Sequence, residues 1–140
     1  MEPASIPKVG VGVFIFKDGK VLFGKRKGTH AAGEYAPPGG HMEYMESFVG
    51  CVMRETFEET GMKIKNIRLL CVLNLKKYEP RHYVNLGFIA DWESGDPQVM
   101  EPKKVGEWGW YELDKIPQPW FATIAVYLEA LKTGKNFFDS

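Results

Sequence analysis

At 140 residues the chain is long enough for one core of ordinary size, and residues 1 to 140 are read as a single domain. Lys and Arg together number 18, as do Asp and Glu, so the formal net charge is zero and nothing in the total favours nucleic acid as a stable partner. Cys51 and Cys71 are too few for a disulfide framework, no charged segment precedes a long apolar run, and no stretch reaches about 18 apolar residues, so the expectation is a cytoplasmic protein that does not enter a membrane.

Val9 to Phe16 is rich in β-branched and aromatic residues, Asp18-Gly19 follows, and Val21 to Gly24 is apolar again, which predicts a β-hairpin. Lys25, Arg26 and Lys27 extend the second strand toward a loop over Gly28 to Gly33. Tyr35-Ala36-Pro37-Pro38-Gly39-Gly40 cannot be helical, because its prolines restrict the residues before them; a rigid turn presenting carbonyls is expected. Ser47 as N-cap and Gly61 as the residue after the last turn bound a helix from Phe48 to Thr60. Val49, Val52, Met53 and Thr56 recur at helical spacing and are expected to face the core, with Glu55, Glu58 and Glu59 on the other side.

Ile64 to Leu75 reads as one long strand or a strand pair and His82 to Trp92 as another, with Tyr78-Glu79-Pro80-Arg81 turning between them. Gly95-Asp96-Pro97 marks a loop and Glu107 to Tyr111 a short aromatic strand. Ala122 to Lys132 closes the series as a helix with Ile124, Leu128 and Leu131 on one face.

The first helix carries the chemistry. Glu55 stands three residues before Glu58 and four before Glu59, so like charges repel at roughly 0.2–0.5 kcal/mol per pair. Arg54, four residues before Glu58, neutralises part of that charge, and a hard divalent cation with oxygen ligands is the natural occupant of the rest.

Gly40, Glu46, Arg54, Glu55, Glu58, Glu59, Gly61 and Met62 fall at the spacing of G-x5-E-x7-R-E-U-x-E-E-x-G-U, where U is bulky and aliphatic, and the segment resembles the Nudix box. Thr56 departs from the first U but removes no polar ligand. Beyond the box, Gly24 to Gly28, Pro38 to His41, His82 to Val84, Glu101-Pro102, Trp108 and Trp110 are similar to MutT-like nucleotide-triphosphate diphosphatases. The resemblance implies an α/β/α sandwich with a mixed sheet. It makes Glu55 and Glu59 ligands of Mg²⁺, with Mn²⁺ as the alternative, and Glu58 a further ligand or the base that activates water. A backbone carbonyl of Gly39 or Gly40 would complete the shell, Arg54 would orient carboxylates, and Glu46 would anchor the turn before the helix.

By the same resemblance Arg26 contacts substrate phosphate, Gly39 belongs to the substrate site, and Trp120-Phe121 forms a pocket wall. Glu101 and Glu107 are candidates for a carboxylate outside the box, and Tyr78 is similar to a tyrosine of some dinucleoside-polyphosphate hydrolases. The implied reaction is hydrolysis of a small nucleotide, foremost a nucleoside triphosphate, oxidised or pyrimidine ones included, to monophosphate and pyrophosphate. ADP-ribose, other nucleoside diphosphate sugars and isoprenyl diphosphates are alternatives, and a nucleotide-binding module without hydrolysis is a different class. Such modules commonly lose box carboxylates, whereas Glu55, Glu58 and Glu59 are all present. Similar proteins are often homodimers, although no interface pattern is legible in the chain itself.

Overall fold

Asp18 and Gly19 both take positive φ, 51° and 79°, the geometry that turns a chain back in two residues along the natural strand twist. They join β1 (Lys8–Lys17) to β2 (Lys20–Arg26), with Lys17 opposite Lys20, so the hairpin forms as the sequence indicates. The structure is a computed structural model that describes residues 6–28 and 30–139; Thr29, inside the expected loop, lies outside the described residues.

The turn expected at Tyr35 to Gly40 is instead divided by its two prolines. On one side is β3 (Tyr35–Ala36), paired with β2; on the other is β4 (Gly39–His41), paired with the first half of β1. After α1 (Phe48–Thr60) come β5 (Lys63–Leu75), β6 (Tyr83–Ser94), β7 (Val105–Tyr111), α2 (Ala122–Thr133) and β8 (Phe137–Phe138). Ile64 to Leu75 is thus one strand, with three register shifts along its pairing with β6. The sheet runs β3-β2-β1-β6-β5-β8, with β7 added on β2 and β4 on β1. β1 is parallel to β6 and β5 to β8, while the other pairings are antiparallel, so the sheet is mixed.

Strand alternation divides the core. Val11, Val13 and Ile15 of β1 pack with Cys51 and Val52 of α1, while Phe14 packs with Ile124 and Tyr127 of α2. The two helices therefore cover opposite faces, which is the expected α/β/α sandwich. None of the described helices is long and apolar enough to cross a membrane.

Two helix faces differ from the sequence reading. Val52 and Thr56 of the expected stripe are buried, but Val49 and Met53 are each 46% exposed, and Cys51 and Thr60 take their places on the buried face of α1. The helix is rotated so that Glu55 and Glu59 flank its buried stripe rather than oppose it, because a carboxylate pointing away from the core could not reach β4. On α2 the buried residues are Thr123, Ile124, Tyr127 and Ala130, with Leu128 and Leu131 only partly buried at the border. Tyr127 displaces the leucines because glycines opposite it leave room for a ring.

Trp108 depends on a similar allowance. A Cβ on Gly24 would stand 2.6 Å from the indole Cε3, closer than real contacts allow. Gly24→Ala is expected to destabilise the fold by about 1–3 kcal/mol through overpacking, read as a lower urea midpoint with an unchanged slope.

Candidate active site

Ser47 starts α1 by accepting a hydrogen bond from the Gly50 N–H at 2.9 Å, and Gly61 ends it with φ 76°. Between these caps, Arg54 acts as a hub. Its Nε and Nη2 donate to the two oxygens of Glu46 at 2.6 and 3.0 Å, a bidentate pairing that holds the Glu46 carboxyl well below the usual range, at about 2. Nη2 also donates to the His41 carbonyl at 3.0 Å, while Nη1 reaches Glu55 at 2.8 Å and Glu58 at 3.1 Å. One guanidinium thus fixes the turn before the helix and two acids on it.

β4 supplies the opposite side. The Gly39 N–H donates to Glu59 Oε1 at 2.8 Å, and a Cβ on Gly40 would overlap the Glu55 carboxylate. Two side-chain-free residues are what let the acidic helix lie against the strand. Burial pushes the Glu55 carboxyl up to about 7, against the pull of Arg54 and with a push from Glu58. Burial likewise pushes Glu59 up to about 8, with Glu55 and Glu101 adding repulsion and the Gly39 N–H and Arg26 opposing it. As the side chains stand, no three His, Cys, Asp or Glu among the described residues converge on a common point.

Across the cavity, the Arg26 guanidinium lies 4.7 Å from the centre of the Phe121 ring and donates to the His30 carbonyl at 3.4 Å. Phe121 stacks on Tyr78 at 4.9 Å and 6°. The Tyr78 hydroxyl donates to Glu34 and accepts from the Ala122 N–H, both at 2.8 Å, which caps α2 where no side chain of its own does so. His30 closes this wall as a neutral ring, since burial and the Arg26 charge lower its pKa to about 4.

Glu55, Glu58, Glu59, Arg54, Gly39, Gly40, Arg26 and Phe121 all line one cavity of about 700 Å³. Its size is that of a small-molecule site. Trp120 does not line it: the indole donates to the Ile116 carbonyl at 3.1 Å and packs against the α2 core, because its neighbour Phe121 takes the cavity-facing position. Lys27 and Glu101 line the cavity, and Lys25 and Glu107 do not. Trp108 and Trp110 pack against the α1 core, and His82 bonds Asn74 at 2.6 Å. Tyr83, from the run His82 to Val84, lines the cavity, as do Asn85 and Thr123, which the sequence reading passed over. An asparagine in the otherwise apolar run Tyr83 to Ala90 was the available signal.

The model of the NUDIX domain matches residues 6–131. The chain belongs to the Nudix hydrolase family. Among solved structures it is similar to a MutT NUDIX hydrolase from Burkholderia pseudomallei, with 35% identity, a TM-score of 0.84, and coverage of 90% of this chain and 98% of that one. Among curated proteins it is similar to an ADP-ribose pyrophosphatase from Methanocaldococcus jannaschii, 35% identical over 113 residues, 80% of this chain and 66% of the relative. An NAD-capped RNA hydrolase NudC from Chromobacterium violaceum is 30% identical over 112 residues, 79% of this chain. The match spans only 41% of that NudC. Nudix hydrolases generally use divalent metal ions.

Proposed function

We propose that this chain hydrolyses a phosphoanhydride in a nucleoside diphosphate linked to a further group, with cleavage of a nucleoside triphosphate to monophosphate and pyrophosphate as the first reading. The observation that carries it is the sharing of one cavity by three helix carboxylates and Arg26. A phosphoanhydride brings negative oxygens and needs both a cation and a proton acceptor near them.

A hard divalent ion fits this donor set, because Glu55 and Glu59 are half-buried acids in mutual repulsion held against the two glycines of β4. Mg²⁺, or Mn²⁺ in its place, would be held by Glu55, Glu59 and a carbonyl of Gly39 or Gly40, with Glu58 as a further ligand or the base. When bound, the ion offsets phosphate charge and favours attack by water. The chain's own groups do the positioning. Arg54 keeps Glu55 and Glu58 in place, the Gly39 N–H holds Glu59, and the Arg26 fork, steadied on Phe121, is set to meet phosphate oxygens. The two buried free thiols are in keeping with a reducing cytoplasm.

A second reading, hydrolysis of ADP-ribose, is favoured by the name of the 35% identical Methanocaldococcus jannaschii relative. Both readings are tested by incubating the protein and Mg²⁺ with ribo- and deoxynucleoside triphosphates, oxidised purine triphosphates and ADP-ribose, followed by chromatographic identification of products. The expected result is release of a nucleoside monophosphate from at least one of them. A protein that turns over none yet binds one tightly is a binding module, and the hydrolytic reading falls.

A further inference from the structure

Gly12 of β1 and Gly87 of β6 sit directly opposite one another in the sheet. A Cβ on Gly12 would stand 2.7 Å from the Tyr127 hydroxyl, and one on Gly87 would stand 2.6 Å from the ring. The paired glycines are therefore a slot that receives Tyr127 from α2, a fully buried phenol that donates a short hydrogen bond to Asn85 Oδ1.

That bond decides which way the Asn85 amide points. A buried phenol must place its proton on an acceptor, and the Asn85 side chain is the acceptor it has among the described residues. Asn85 Oδ1 is thereby turned to Tyr127, and Nδ2 is turned away from it. Asn85 is only 6% exposed and lines the cavity, and its bond to Tyr127 uses Oδ1 and leaves Nδ2 out of that pairing. The nitrogen leans toward Gly10, from whose Cβ position it would be 3.8 Å, with the Gly40 carbonyl oxygen at 3.6 Å and a Tyr83 ring carbon at 3.7 Å from the same point. A bare glycine floor between a tyrosine ring and a neutral amide donor suits a flat, uncharged group. Cations that can meet phosphate line the cavity at Arg26, Lys27, Arg81, Lys103 and Lys104, and Lys8 lies two residues from Gly10 on β1.

We propose that Asn85 is a specificity-determining residue that donates from Nδ2 to an acceptor atom on the nucleoside part of the bound nucleotide, with Tyr127 as the positioning residue that holds the amide in that sense. The proposal rests on the nucleotide reading above but not on turnover, so its test measures binding. The probes are the α,β-methylene analogues of ATP, GTP, CTP and UTP, with inorganic pyrophosphate as the ligand lacking a nucleoside, all titrated calorimetrically in Mg²⁺.

Replacing the pair together, Asn85→Leu with Tyr127→Phe, removes the donor and leaves no buried hydroxyl without a partner. The best-bound analogue should weaken about tenfold, the scale of one lost hydrogen bond in a desolvated site. Tyr127→Phe alone keeps the ring in its slot and frees the amide to turn, for a loss of about threefold. Pyrophosphate affinity should hold within about twofold in both. Gly10→Ala adds a methyl in ordinary contact with its surroundings and disturbs no buried polar group, so it provides a variant expected to fold. It should weaken the same analogue. Unchanged analogue binding in the double variant, or an equal loss of pyrophosphate, overturns the proposal. If the hydrolytic reading fails while these affinities split as stated, the inference stands by itself.

Discussion

Glu59→Gln is expected to lower kcat by about 100-fold or more while leaving the melting temperature unchanged or raised. The activity loss follows from removing a charged oxygen from a site where electrostatic interactions are little screened, and losses of this size accompany such deletions. The stability result follows from the same burial. Glu59 is pushed up to about 8, so its ionised form is disfavoured by the fold. A glutamine keeps an oxygen to accept the Gly39 N–H, now at 2.8 Å, and carries no charge to desolvate. Glu58→Gln separates the roles further. Its side chain is 48% exposed, bonds Arg54 and neighbours Glu55, so the fold should register the change only slightly. If Glu58 accepts the proton from water, its kcat falls by about 10²–10⁴-fold with little change in KM. Full activity in both variants would remove the helix carboxylates from the mechanism.

The acidic helix was legible because its ends and its spacing are local. Ser47, Gly61 and the i,i+3 and i,i+4 acids are set by one helical turn at a time, and the hairpin at Asp18-Gly19 is equally local. What could not be read was how the helix sits on the sheet. Periodicity permits Val49 and Met53 to face inward, and the rotation that exposes them is imposed by β4, whose glycines admit Glu55 and Glu59. Trp120 and Phe121 present the same difficulty on a smaller scale. They are adjacent aromatics at the start of α2, and only the stack on Tyr78 decides that Phe121 and not Trp120 faces the cavity. Asn85 escaped notice for a third reason: its partner lies 42 residues away, through a slot formed by two glycines on different strands.

Proton linkage gives the second large effect. Glu55 and Glu59 titrate near 7 and 8 in the folded protein, whereas an unfolded glutamate has an ordinary value of 4.5. Between about pH 4.5 and 8 the folded state therefore holds protons that the unfolded state has released, and stability must fall as pH rises through that window. Below it both states are protonated and no penalty exists; above it the penalty is complete. With solvent screening at the cavity mouth reducing each contribution to about 1 kcal/mol, the melting temperature in EDTA should drop by roughly 4–8 °C between pH 5 and pH 8 from these two acids. On the proposed reading a divalent ion reverses the trend, because it would bind the ionised acids and displace their protons, so its affinity would grow with pH. Saturating Mg²⁺ should thus raise the melting temperature more at pH 8 than at pH 5, and Glu59→Gln should flatten the EDTA profile as well as the Mg²⁺ gain. A metal-induced shift of equal size at both pH values, or one retained in Glu59→Gln, would mean that the ion binds away from these carboxylates.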